Sequence, residues 1–249
     1  MSHPNKVLIC NVNHCKGAQD LVEQVRVERA VEVTVISEPY RIPPNHPRWA
    51  GNLLGTSAIA TAPHTTMCDI ERTDHFIVGK ILETNVYAVY FSPNRPLIEF
   101  SAMLNSLGAC MARRRGEALV AGDFNAKSTA WGGDRTDARG HELTLWLTQH
   151  SLQVLNTGRT HTCVRHNGGS VVDLALATGR TATALSNYRV DCETETLSDH
   201  RYIWLDDKSP GAQRIPQRPE KGWNTGKMRE DVFETTLETG LWTRWREGT

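Results

Sequence analysis

Apolar positions along the chain fall into two kinds of repeat. Residues 7–12, 31–36 and 85–91 are apolar or β-branched runs, which are typical of buried strands. Residues 18–30 and the segment from Leu97 to Met111 instead place apolar side chains three and four positions apart, which predicts amphipathic helices. Strand patterns and helix patterns alternate, so the chain is predicted to be mixed α/β.

The same criteria predict further elements in the rest of the chain. A third helix is expected around 143–150, and 41–52, rich in proline and polar residues, is expected to be a long loop. His166-Asn167-Gly168-Gly169 between two apolar runs predicts a β-hairpin turn. The additional strands are predicted at 57–61, 76–82, 119–122, 154–156, 160–164, 170–177 and 201–205.

The character of the chain changes after Asp206. Residues 208–226 are polar and contain three prolines without hydrophobic periodicity, which predicts a linker, and 228–245 contains enough apolar residues for one helix. The sequence therefore predicts a domain over residues 1–206 followed by a tail over 207–249.

Composition narrows the functional classes only a little. The 249 residues have a formal net charge of zero, so the chain does not show the basic excess usual for proteins that bind polyanions. No apolar run reaches the roughly 18 residues of a membrane span, so no membrane association is predicted.

The six cysteines are scattered without a CxxC pair, which favours a reducing, intracellular compartment. His161-Thr162-Cys163 and His166 lack a second cysteine pair, so no structural zinc is expected.

Polar residues of the kinds used in catalysis stand where predicted strands end. Asp123 and Asn125 follow an apolar run two residues apart, a spacing that sends both to one face of a strand, although Gly, Asp and Asn also make ordinary turns. Asp173 interrupts an apolar strand, where a carboxylate needs a partner, and a histidine is a natural one. The full set is Asn11, Glu38, Asp123, Asn125, Asp173, Asp199 and His200.

Taken singly, these residues also have structural explanations such as caps, turns or a buried histidine. Taken together, four acids, two amides and a histidine form an oxygen-rich set suited to a hard cation. We therefore predict Mg²⁺, with Mn²⁺ as a substitute, rather than zinc.

The sequence contains, in order, the motifs Asn11, Ile36-Ser37-Glu38-Pro39-Tyr40, Tyr90-Phe91-Ser92-Pro93-Asn94, Gly122-Asp123-Phe124-Asn125, Trp131-Gly132-Gly133, Ser170-Val171-Val172-Asp173 and Ser198-Asp199-His200-Arg201-Tyr202-Ile203. With these motifs the sequence resembles the endonuclease/exonuclease/phosphatase superfamily. The resemblance covers about residues 5–206, and within the superfamily it is strongest to endonuclease domains of non-LTR (LINE-type) retrotransposons, including insect clades that insert at ribosomal DNA or telomeric repeats. The tail is similar to the linker that leads to a reverse transcriptase.

The resemblance implies a fold and an activity. The fold is a DNase I-like four-layer αββα sandwich of two mixed sheets packed face to face. The activity is Mg²⁺-dependent nicking of chromosomal DNA in the nucleus, leaving a 3′-hydroxyl and a 5′-phosphate. In retrotransposons the 3′-hydroxyl primes reverse transcription by the reverse transcriptase domain of the same polyprotein.

The resemblance also implies roles for single residues. Glu38 would be the principal metal ligand with Asn11 and Asp199 nearby, and Asp123 would activate or orient the attacking water. The remaining roles are positioning of water and phosphate by Asn125, a phosphate contact by His200 and orientation of His200 by Asp173.

One motif departs from the family. The family commonly has Tyr-x-Pro-Asn, whereas here that register holds Phe91, and the nearest tyrosine is Tyr90. Strand alternation is expected to send Tyr90 to the opposite face unless a bulge intervenes.

Sequence-reading residues are expected in loops around the cleft, over 127–139 and in the hairpin over 159–170. The candidate DNA contacts are Asn94, Arg135, Arg139, Arg159, Arg165 and Asn167. The alternatives that remain open are a repair endonuclease acting at abasic sites, a phosphatase or phosphodiesterase of the same superfamily, and an inactive DNA-targeting module.

Overall fold

Two six-stranded β-sheets make up the two central layers of the protein. The computed structural model describes residues 4–207. The strands are β1 (Lys6–Asn11), β2 (Val33–Ser37), β3 (Trp49–Gly51), β4 (Ser57–Thr61), β5 (Met67–Arg72), β6 (Phe76–Ile81), β7 (Thr84–Tyr90), β8 (Glu117–Asp123), β9 (Gln153–Val154), β10 (Cys163–Arg165), β11 (Gly168–Ser170), β12 (Asp173–Ala177), β13 (Asn187–Val190) and β14 (Ile203–Asp206). The helices are α1 (Lys16–Glu28), α2 (Leu97–Arg114), α3 (Ala138–Gln149) and α4 (Gly179–Ala184).

Each sheet contains one parallel pair of strands joined through a helix. The first sheet has the order β13-β14-β1-β2-β4-β3, and β1 and β2 are its parallel pair, connected by α1. The second has the order β5-β6-β7-β8-β12-β9, with β7 and β8 parallel and connected by α2. The carboxyl ends of parallel strands meet at one edge of a sheet, so each sheet offers one such edge for a site.

Three buried clusters separate four layers. The middle one lies between the sheets and contains Val7, Ile9 and Val35 from the first sheet facing Ala88 and Ala121 from the second. The outer clusters pack the opposite faces of the strands against helices, α1 on the first sheet and α2 with α3 on the second. The predicted αββα sandwich is confirmed.

Several predicted elements differ from the structure. The loop expected over 41–52 contains the short strand β3, and the single strand expected over 170–177 is divided into β11 and β12. The tail from residue 208 lies outside the described residues, so the boundary at 206, the linker and the helix over 228–245 stay predictions. Among residues 4–207, no helix has the length and hydropathy needed to span a bilayer.

Gly122 allows β7 and β8 to approach each other at the edge of the second sheet. Its φ is +136°, and a Cβ built on it would lie 2.0 Å from the carbonyl oxygen of Val89 on β7. We expect Gly122→Ala to lower the free energy of unfolding by at least about 3 kcal/mol, because the strands must separate where they pair. Urea denaturation measures this. Gly116→Ala, with φ +93° and open space around the new Cβ, isolates the backbone cost of about 1–2 kcal/mol. Equal losses in the two variants would contradict the steric explanation.

Candidate active site

Strand register places three polar side chains in a row on the second sheet. Tyr90 pairs with Asp123 across β7 and β8, and Asp123 pairs with Asp173 across β8 and β12. These three residues continue the face that holds Ala88 and Ala121, which packs on the other sheet. Asp173 begins β12 rather than ending a strand, and it reaches the same edge because β12 runs antiparallel to β8.

The first sheet contributes the opposite wall. Asn11 ends β1 beside Ser37 at the end of β2, and Glu38 follows with φ +48°, a left-handed conformation that interrupts the alternation of the strand. The Asn11 Nδ2 amide donates to Glu38 Oε2 at 2.9 Å and to Asp123 Oδ2 at 3.1 Å. One buried amide therefore links the carboxylates of both sheets.

The expectation that Tyr90 faces away from the site is wrong. Its hydroxyl donates to Glu38 Oε1 at 2.6 Å, whereas Phe91 is fully buried among the aromatic residues under α2. No bulge is needed, because β7 and β8 pair without interruption up to Tyr90 and Asp123. Alternation itself places the two residues on one face. Burial, followed by the contact with Glu38, raises the pKa of Tyr90 above its ordinary value.

Removing the Tyr90 hydroxyl tests this contact. We expect Tyr90→Phe to lower kcat for the predicted DNA cleavage about tenfold, because Glu38 Oε1 loses a hydrogen bond that fixes its orientation. Tyr40→Phe is the control, since Tyr40 is 54% exposed and lies two residues after Glu38. Steady-state rates on a defined duplex measure both variants. Equal kcat for Tyr90→Phe and wild type would show that Glu38 does not need this contact.

His200 and Asp173 form a buried pair. His200 Nδ1 lies 2.8 Å from Asp173 Oδ2, and both residues are at most 5% exposed. This confirms the histidine partner that the sequence led us to expect for Asp173. Burial lowers the pKa of His200, but the Asp173 carboxylate outweighs burial and raises that pKa to about 12. The imidazole is therefore held as a cation at the site.

Asp123 lies between groups that oppose its ionisation. Burial and the neighbouring Asp173 carboxylate raise the pKa of Asp123 to about 8, against the lowering effect of His200. Its Oδ1 accepts the backbone N–H of Asn125 at 2.9 Å. Asp123 is thus a carboxyl group that can take up or release a proton near neutral pH.

Asn125 reaches the site through a turn rather than by strand alternation. The strand ends at Asp123, Asn125 has φ +47°, and its side-chain amide donates to the carbonyl of Phe91 at 3.2 Å. The sequence left open whether these residues form an ordinary turn or part of a catalytic site. In the structure, the turn is what brings Asn125 next to Asp123.

Asp199 lies on the other side of His200. Its Oδ1 is 3.7 Å from His200 Nε2, and its Oδ2 accepts from Arg165 Nε at 2.7 Å. Burial raises the pKa of Asp199, but the Arg165 guanidinium outweighs burial and lowers it overall. Arg165 belongs to the β10–β11 hairpin, so this hairpin is connected directly to the site.

Arg139 differs from the other residues predicted to contact DNA. Its guanidinium lies 5.1 Å from the centre of the Phe91 ring, and its donors are directed at backbone oxygens. The acceptors are the carbonyls of Asn125, Ser92, Pro93 and Arg95. Arg139 therefore ties the loop after β7 to the turn that carries Asn125, and we propose it as a positioning residue rather than a DNA contact.

The other predicted DNA contacts are surface residues. Arg159 pairs with Asp134 at 3.2 Å in an exposed position, and Asn167 is exposed between the two strands of the hairpin. Asn94 and Arg135 are exposed in loops after β7 and β8. Their exposed positions are accessible to DNA, and their roles in DNA binding stay predictions.

His14 is a site residue that sequence reasoning did not single out. Its Nε2 is 3.6 Å from Glu38 Oε1, and its backbone N–H donates to the carbonyl of Glu38 at 2.8 Å. The available signal was its place directly after β1, since β1 and β2 are parallel and their following loops share one edge.

The donor set fits a hard divalent cation. Asp173 Oδ1 and Asp199 Oδ1 are buried and have no hydrogen-bond partner among the described residues, and Asp123, Asp173 and His200 each offer one ligand atom within 4.8 Å of the others. Carboxylate and amide oxygens of this kind suit Mg²⁺. Glu38, Asn11 and Asp199 are the residues proposed to hold it.

A protein-family model and several solved structures are similar to this chain. Residues 84–204 match a protein-family model described as endonuclease-reverse transcriptase. The matched region contains Tyr90, Asp123, Asp173 and the Asp199-His200 pair, whereas Asn11 and Glu38 precede it. A search of curated protein sequences found no match.

Solved structures resemble the chain over most of its length. The endonuclease domain of TRAS1, a telomere-specific non-LTR retrotransposon, is 26% identical with a TM-score of 0.67, covering 82% of this chain and 99% of its own. A 3′ phosphatase from Neisseria bound to a product DNA hairpin (18% identity, TM-score 0.65) and an AP endonuclease from Archaeoglobus fulgidus (15%, 0.68) show the same fold. Each of these two alignments also covers 82% of this chain and 99% of the other.

Proposed function

Since the chain is a DNA nuclease of the retrotransposon endonuclease type within the endonuclease/exonuclease/phosphatase superfamily, we propose that it nicks duplex DNA in a Mg²⁺-dependent reaction. The products are a 3′-hydroxyl and a 5′-phosphate. The observation that carries the proposal is the buried row of Asp123, Asp173 and His200 facing Glu38 and Asn11 across the two sheets.

Hydrolysis of a phosphodiester requires an activated water and positive charge at the phosphoryl oxygens. Asp123 accepts the proton of the attacking water, a role for which a carboxyl pKa near 8 is suited. The His200 imidazolium donates from Nε2 to a phosphate oxygen and offsets the negative charge that develops there, while Asp173 fixes the ring through Nδ1.

Glu38, Asn11 and Asp199 would hold Mg²⁺, which supplies Lewis-acid polarisation of the phosphate when it is bound. Tyr90 orients Glu38, and Asn125, held by Asp123 and Phe91, contacts the scissile phosphate.

The biological setting is part of the proposal. The 3′-hydroxyl would prime reverse transcription by a reverse transcriptase domain of the same polyprotein, at chromosomal DNA in the nucleus. The similarity to a retrotransposon endonuclease supports this assignment. Priming of reverse transcription requires a 3′-hydroxyl, which is the end that the proposed reaction leaves.

Nicking of supercoiled plasmid tests the activity. We expect open-circular product with Mg²⁺ and none with a chelator, and we expect the nicks to be sealed by DNA ligase because they carry a 3′-hydroxyl and a 5′-phosphate. Glu38→Gln should abolish nicking. Glu32→Gln is its control, because Glu32 and Glu38 flank the two ends of β2.

The same samples separate the alternatives. Cleavage of an abasic duplex without cleavage of intact plasmid would assign the protein to repair. Release of phosphate from small phosphoesters without any DNA cleavage would assign it to the phosphatases. Inactivity on all three substrates would leave a DNA-targeting module.

A further inference from the structure

Cys163 brings a thiol to the edge of the proposed active site. It begins β10, is 5% exposed, and forms an isolated antiparallel β-bridge with His200. Its Sγ lies 3.8 Å from Asp199 Oδ2. The proposed nuclease chemistry gives this thiol no role.

Three different ligand atoms converge here. One atom each from Cys163, Asp199 and His200 lie within 4.8 Å of one another, and His200 Nε2 is 3.7 Å from Asp199 Oδ1. In a tetrahedral site with metal–ligand bonds of about 2.0–2.3 Å, neighbouring ligand atoms are about 3.3–3.6 Å apart. The His200–Asp199 pair already has nearly this spacing, whereas Cys163 Sγ lies within 4.8 Å of both ligand atoms and must approach them by at most about 1.5 Å.

The contacts of His200 and Asp199 with their neighbours suit metal binding. His200 Nδ1 faces the Asp173 carboxylate at 2.8 Å, which is the arrangement that presents the opposite ring nitrogen to a metal. Asp199 Oδ1 has no hydrogen-bond partner among the residues described, while Oδ2 is taken by Arg165.

We propose that Cys163, Asp199 and His200 form a second cation site, selective for a thiophilic divalent ion such as Zn²⁺ or Cd²⁺, with water as the fourth ligand. Thiolate and imidazole select against Mg²⁺, which prefers oxygen ligands. Of the three residues proposed to hold Mg²⁺ (Glu38, Asn11 and Asp199), the new site shares only Asp199.

Occupation of this site would inhibit the nuclease, an effect that rests on the proposed function. Zn²⁺ bound to His200 Nε2 removes the proton that this nitrogen presents to the phosphate, and the Cys163 thiol also loses its proton. Asp199 is withdrawn from the oxygen-rich site at the same time. Zn²⁺ is therefore expected to inhibit rather than to replace Mg²⁺.

Cadmium binding tests the site without any measurement of activity. We expect Cd²⁺ to bind the 249-residue chain with a cadmium–thiolate ultraviolet band, and Cys163→Ser to lose that band. Cys192→Ser is the matched control, since Cys192 is exposed in the segment that leads to Asp199. Retention of the full band in Cys163→Ser, or its loss in Cys192→Ser, would overturn the proposal.

Inhibition provides the second measurement. With Mg²⁺ present, Cys163→Ser should nick plasmid like wild type but require at least about tenfold more Zn²⁺ for half-inhibition. Equal inhibition of the two proteins would overturn the inhibitory role. If neither protein cuts DNA, the proposed function fails, and the cadmium band still decides whether the site exists.

Discussion

Replacing His200 with glutamine is expected to lower the rate of plasmid nicking by about a thousandfold or more. The substitution removes a cation that is 5% exposed and paired with Asp173 at 2.8 Å. Removing one preorganised donor from a transition state costs about 10²–10³ in rate, and loss of a full charge in a buried site adds to this. The measurement is the single-turnover rate on supercoiled plasmid at saturating Mg²⁺.

A second histidine–carboxylate pair provides the control for this variant. His64 Nε2 lies 4.0 Å from Glu32 Oε1, but His64 is 71% exposed and remote from the site. His64→Gln should therefore retain full activity. Asp173→Asn combined with His200→Gln should lose little more than His200→Gln alone, because the two residues act as one unit. A loss of less than about tenfold for His200→Gln would remove this residue from the mechanism.

Replacing Asp123 with asparagine is expected to cost at least about a hundredfold in activity while making the metal-free protein more stable. The loss of activity follows from removal of the proposed general base. The gain in stability follows from burial and from the adjacent Asp173, which raise the pKa of Asp123 from 3.8 to about 8. Nicking rates and denaturation in the presence of a chelator measure the two effects.

The sign of the pH dependence is fixed by the raised pKa. Asp123 holds its proton more tightly in the folded protein than in the unfolded chain, so its contribution to stability is complete below pH 3.8 and is lost as the pH rises to about 8. Asp123→Asn removes this slope, and at pH 8 we expect it to exceed wild type by on the order of 1–3 kcal/mol. Asp134→Asn, which changes an exposed acid, should follow wild type at every pH. Parallel curves for wild type and Asp123→Asn would contradict the raised pKa.

The sequence contained most of the information about the site because it is built at strand ends. Polar residues that follow apolar runs are easily recognised in a sequence. Because burying an unpaired carboxylate costs free energy, Asp173 was predicted to have a histidine partner, and His200 is that partner. The prediction that Tyr90 lies on the face of β7 opposite to the site was wrong. Ala88 of β7 faces the other sheet, so Tyr90, two positions later, lies on the same face of the strand. The family motif aligns Phe91 with the site tyrosine but does not show which face of the strand is buried.

Features without periodicity were not predictable. The edge strand β5 is largely exposed and has no apolar alternation, and α4 is a six-residue helix in which one glycine and two threonines offset the helix propensity of two alanines and one arginine. His14 and Arg139 depend on which loops meet in space. The packing of the two sheets decides which loops come together, and the local sequence around these residues contains no signal of it.

The position of β14 makes activity depend on the progress of translation. This strand lies between β13 and β1 in the interior of its sheet, and it directly follows His200 in the chain. A nascent or prematurely terminated chain that ends before residue 200 contains Glu38 and Asp123 but has neither the histidine nor the strand that pairs with β1. Incomplete products of synthesis therefore lack part of the candidate site, and only chains extended through β14 contain all of its residues.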